Sequence, residues 1–184
     1  MFLMPPIPSW DALHPLIIHF PIALLLVVPL FIIVALLVSA PRRQAFMISA
    51  LVLMILGTAS VYVALSTGEA AGKLAERTTQ VDVVLERHEN LAERTRLTFT
   101  VLTVILAGML TVPSLVKWEP SRAMSAIISV VFLVLYGGAA QLIINTAHNG
   151  GLLVHQFGVT AMVNAPTTVP APAIQPSGAE TDRD

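Results

Sequence analysis

The stretch HPLIIHFPIALLL, residues His14 to Leu26, opens a run with no charged residue between Asp11 and Arg42. About 20 consecutive apolar residues cross the hydrocarbon of a bilayer as a helix, because no water is there to satisfy the backbone. The run is long enough to do so. Three more windows lack Asp, Glu, Lys and Arg: residues 44–68, 97–116 and 123–179. The last continues through an apolar stretch at 124–144 into a polar tail. The pattern predicts an all-α fold, a bundle of four transmembrane helices at roughly 15–40, 45–66, 97–116 and 124–145.

Composition agrees with that reading. The 184 residues are 55 % hydrophobic and 11 % charged, with a mean hydropathy of +0.80; soluble domains carry about 25 % charged residues. A net charge of −1 gives no basic surface for nucleic acid. The absence of cysteine excludes disulfides, iron–sulfur ligation and covalent haem attachment. The first ten residues carry no basic residue, so a cleaved signal peptide is not expected. Residues 161–184, rich in Pro, Ala and Thr, are expected to be disordered, which leaves a membrane domain at 1–160.

Two connections are tight turns, SAPRRQ and KWEPSR. Between helices two and three lies a polar segment, 67–96, with apolar positions at helical spacing and a break near TTQVD. It is expected to form an extramembrane hairpin of two short amphipathic helices, the second continuous with helix three. Thr79 and Asp82 have the spacing of a capping box. Arg42 and Arg43 stand in a short turn without acidic neighbours, which favours that turn inside and both termini outside, in the periplasm of a bacterial inner membrane.

An even number of spans puts the N-terminus, the long loop and the C-terminus on one side, and with them all five histidines: His14, His19, His88, His148 and His155. Pro15 suits the first turn of a helix, where its missing N–H costs nothing. Pro21 denies the Ile17 carbonyl its donor. His19 lies about 7.5 Å deeper than His14 and about 140° round the axis. An imidazole inside an apolar span needs a partner. His88 falls on the Val81–Leu85–Leu91–Thr95 seam, where it is either a satisfied core histidine or a ligand. His14 and His148 read equally as solvated interfacial side chains. In NTAHNGGLLVHQFG, residues 145–158, Gly150 and Gly151 permit close backbone approach or positive φ ahead of His155.

Zinc wants four ligands, with Cys, Asp or Glu among them. Haem b suits this site better: it is apolar, sits between helices and needs one histidine from each of two elements. His19 with His88, or His19 with a histidine beyond helix four, would serve as the metal ligands.

The segments HPLIIHFPIAL, TGEAA, RHENLAE and GGLLVHQFGV, in that order across residues 13–160, resemble a bacterial family of four-helix membrane proteins catalogued as a domain of unknown function. Its HPxxxHFP opening is matched by His14, Pro15, His19, Phe20 and Pro21. Members stand beside or are fused to c-type cytochromes. The resemblance therefore implies a membrane redox role, with His14, His19 and His88 as the matching histidines. The last motif departs from the family's GGxLVYxHG form: His155 and Phe157 stand there instead.

The expected function is a haem b electron-transfer subunit in the bilayer. It would work between a membrane donor such as quinol and a c-type cytochrome or larger membrane complex. The rival is a cofactor-free accessory subunit. A transporter is disfavoured because no span carries a charged residue, and no set of residues for enzymatic chemistry can be placed.

Overall fold

A computed structural model describes residues 7–159. The expected tail at 161–184 lies outside the described residues. Five helices follow in order: α1 (His14–Ile17), α2 (His19–Leu37), α3 (Ala40–Gly72), α4 (Thr79–Leu115) and α5 (Arg122–His155). α1 and α2 form one span, and four segments in all are long and apolar enough to cross a membrane. The protein is an all-α, four-span bundle.

The interruption between α1 and α2 is a consequence of proline. Ile18 keeps helical dihedrals (φ −58°, ψ −25°), so the direction of the chain is preserved. The hydrogen-bond ladder lapses because Pro21 has no N–H for the Ile17 carbonyl. The next bond, Ile22 N to Ile18 O, is stretched to 3.4 Å.

α3 is longer than the sequence pattern suggests, whereas α4 runs from the polar segment straight into the third span, as expected. At 33 residues, α3 is about 50 Å long, against about 30 Å of hydrocarbon. Residues 67–72 are its last turns rather than a separate short helix, and the chain leaves helical geometry only between Lys73 and Thr78. Thr78, extended at φ −121° and ψ 159°, is the cap: its hydroxyl accepts from Val81 N at 3.3 Å. The cap therefore stands one residue before the Thr79 expected. Pro41 in the first turn starts α3 at Ala40, and Ser121, accepting from Met124 N, starts α5. α5 runs unbroken through Gly150 and Gly151 to His155, so NTAHNGG is helix and not loop.

Each helix packs on its sequence neighbour, and α2 also packs on α5, which closes an up-down-up-down ring. The inward residues recur every three or four positions: Leu25, Val28, Ile32 and Ala35 on α2; Ala50, Met54, Gly57 and Val61 on α3; Phe99, Leu102 and Leu106 on α4; Phe132, Tyr136, Ala139 and Ile143 on α5. At Gly57 the close approach is real. A Cβ there would lie 2.7 Å from Leu25 Cδ2. Large apolar side chains such as Leu30, Leu56, Val104 and Val134 face outward, as a lipid solvent permits. Polar pairs join neighbouring helices: Thr58 with Thr103 (2.9 Å), Tyr62 with Thr100 (3.0 Å), Thr95 with Thr146 (3.2 Å). Beyond the spans, Val81, Leu85 and Leu153 form a second small core with Phe157 packed against it.

Pro29 sits inside α2 and leaves the Leu25 carbonyl without its helical donor. The buried Tyr136 hydroxyl donates to that carbonyl at 2.6 Å. Tyr136→Phe should therefore lower stability in detergent by about 1–2 kcal/mol, read as a loss in thermal midpoint. In a Pro29→Ala background, residue 29 supplies its own N–H, and the cost of Tyr136→Phe should fall to nearly nothing. Equal cost in both backgrounds would show that the proline and the tyrosine are not coupled.

Candidate functional site

A large, mainly apolar space lies at the end of the bundle where the chain enters α1, leaves α3, starts α4 and ends α5. It is a cavity of about 930 Å³, near the top of the range of about 300–1,000 Å³ typical of cofactor and ligand sites. Its walls are apolar in depth, with Ile22, Leu25, Val61, Leu85 and Ile143. Three of the five histidines line it: His14, His88 and His155.

His14 and His88 are half-buried and held in the same way. The Nδ1–H of His14 donates to the Ala64 carbonyl (3.0 Å) and to Thr67 Oγ1 (3.1 Å). The Nδ1–H of His88 donates to the Thr146 carbonyl (2.9 Å). A carbonyl oxygen can only accept, so Nδ1 carries the proton and Nε2 keeps its lone pair free. Thr67 is itself fixed: it is fully buried and donates to the Val63 and Ala64 carbonyls.

Each ring also lies against a glycine one turn past its carbonyl. A Cβ at Gly68 would come 2.8 Å from His14 Cε1, and one at Gly150 would come 3.0 Å from His88 Cε1. Thus α3 offers Ala64 and Gly68 to a histidine of α1, while α5 offers Thr146 and Gly150 to a histidine of α4. Both seats use a carbonyl at position i and a glycine at i+4. Gly150 serves close approach and not positive φ, which Gly158 alone shows among the described glycines (φ 66°).

His19 has a different environment. It is exposed on the outer side of α2 and does not line the cavity. The angular offset from His14 allows only one of the two to face inward, and the bundle turns His14 in. Of the two residues expected as metal ligands, His88 therefore reaches the cavity and His19 does not. His148 is exposed on α5. His155, at the end of α5, is exposed but borders the cavity. Phe157 packs into the small core beside Leu153, and His155 stands at the rim.

Thr67, Gly68 and Thr146 were not singled out in the sequence as part of a site. Their signal was present: a Thr-Gly at 67–68 and an Asn-Gly at 149–150 stand inside stretches that continue as helix. Among the described residues no cluster of three or more His, Cys, Asp or Glu could hold a metal ion directly.

A family model described as "Predicted membrane protein (DUF2231)" matches residues 10–162, and the chain belongs to that family. No curated protein and no solved structure matches the chain.

The glycine seats yield a direct test. Gly→Ala in a helix interior ordinarily stabilises by about 0.5–1 kcal/mol. Gly151→Ala, which meets nothing within 4 Å, should raise the thermal midpoint. Gly68→Ala and Gly150→Ala should lower it and move the ¹⁵N signals of His14 and His88 respectively. Three equal, favourable shifts would mean that the rings do not rest on the glycines.

Proposed function

We propose that this protein is a membrane electron-transfer subunit that binds haem b between His14 and His88. The observation that carries this reading is the pair of imidazoles lining one apolar cavity, each tied at Nδ1 to a backbone carbonyl of another helix. Such a tie fixes the tautomer, aims Nε2 and raises its basicity as a ligand. The donor set suits haem: Nε2 of His14 and Nε2 of His88 would hold its iron. Ile22, Leu25 and Leu85 would meet the macrocycle. Lys73, which borders the cavity, would supply a cation for its carboxylates. Bound there, haem supplies one-electron transfer.

This chain's own residues hold the imidazoles still. Thr67 and the Ala64 carbonyl keep the His14 proton on Nδ1, and the Thr146 carbonyl does the same for His88. Two imidazole ligands supplied by the protein would favour electron relay over catalysis. The donor would be a reduced membrane carrier such as quinol, and the acceptor a c-type cytochrome or a larger membrane complex on the side of the cavity. That side is the outer face of a bacterial inner membrane if the cationic turns, Arg42–Arg43 and Lys117–Arg122, lie inside.

The purified protein should show a reduced-minus-oxidised b-type spectrum and release non-covalent haem in a pyridine haemochrome assay. His14→Ala and His88→Leu should each abolish the six-coordinate spectrum. His19→Ala and Arg87→Ala should leave it unchanged. A folded, colourless protein that takes up no added haemin would instead support a cofactor-free accessory subunit.

A further inference from the structure

The opposite end of the bundle holds a second cavity, of about 640 Å³. It lies where α3 begins, α4 ends and α5 begins, and it is bordered by Arg43, Met47, Met109, Pro113, Ile128 and Ser129. We propose that it binds the head and upper chain of one anionic phospholipid from the surrounding bilayer.

The charge at this end has no internal answer. Arg42, Arg43, Lys117 and Arg122 stand there with one carboxylate, Glu119. Both ion pairs among the described residues, Arg77–Asp82 and Arg96–Glu93, are elsewhere. Arg43 is partly buried, and its Nε is fully buried without a hydrogen-bond partner. A guanidinium stays charged, and a buried donor left unpaired is costly. A phosphodiester is the acceptor that its planar fork fits best. Pro113 also denies the Met109 carbonyl its helical donor, leaving an acceptor in the cavity wall for a headgroup hydroxyl.

The surroundings select a lipid over a soluble phosphate. Met47, Met109 and Ile128 form an apolar floor. Outside the cavity, Leu115, Met124 and Ile127 are exposed and apolar, so the adjoining phase is hydrocarbon. An acyl chain can enter from there, while the Arg43 end of the cavity faces the headgroup layer.

The test uses the full-length protein, washed in detergent and exchanged into nanodiscs of phosphatidylcholine with or without phosphatidylglycerol. Native mass spectrometry after gentle release then counts retained lipid. One phosphatidylglycerol per chain should be retained in preference to phosphatidylcholine. Arg43→Gln should lower that occupancy by about five-fold, the effect of losing one cation near an anionic lipid. Arg42→Gln, on the exposed surface, should change it by less than about two-fold. Should Arg43→Gln fail to fold, Ile128→Trp fills the chain-binding part while keeping Arg43, and it too should reduce retention. Equal retention of both lipids, undiminished retention in both cavity variants, or displacement by millimolar inorganic phosphate would each overturn the proposal. So would a neutral quinone found in place of phospholipid.

Discussion

Pro29 strands the Leu25 carbonyl in the middle of a membrane span, and the Tyr136 hydroxyl answers it across the bundle at 2.6 Å. In hydrocarbon every backbone polar group must find a partner within the protein. One proline on α2 therefore dictates what α5 must present, at what depth and at what rotation. The same tyrosine lies edge-on to Phe99 of α4 and tilted against Phe132, with ring centroids 5.4 and 5.9 Å away. First and last helices are thereby locked, and the ring of four is closed.

The histidine seats follow the same logic with different chemistry. His14 of α1 and His88 of α4 also donate to carbonyls of other helices, Ala64 on α3 and Thr146 on α5. Those carbonyls belong to intact helices, however, and need no rescue. The donor benefits instead: its proton is fixed and its other nitrogen is bared. A glycine one turn further on lets each ring settle against the helix. Two arrangements so alike, on two different helix pairs, converge on one cavity.

Much of this was legible in the residues. Charge-free windows mark the spans, and even span parity puts all the histidines on one side. The His88 seam is visible as a polar residue among Val81, Leu85 and Thr95, and that seam faces inward in the structure. The rotation of the first helix was not legible, because α2 is apolar all round and gives no stripe by which to choose between His14 and His19. Packing against α3, through Gly57 and Gly68, makes the choice. The continuation of α3 through residues 67–72 was also hidden, although that of α4 into the third span was not. The charges of 67–96 suggest a separate hairpin, yet they decorate the ends of two long helices that project beyond the hydrocarbon. At 149–151, Asn-Gly-Gly looks like a loop, but Gly150 is there for a neighbour's ring and not for a turn.

The one-sided position of the histidines sets how membrane voltage acts on the site. His14 stands at the first turn of the first span, on the level of Gly68 and Gly150, near one headgroup layer. A charge that reaches the imidazoles from that side crosses little of the hydrocarbon, so the transmembrane field does little work on it. A charge arriving from the Arg43 end would cross nearly the whole dielectric, against or with about 2.3 kcal/mol per 100 mV. A charge moving between this cavity and its own face of the membrane would therefore be nearly indifferent to the membrane potential.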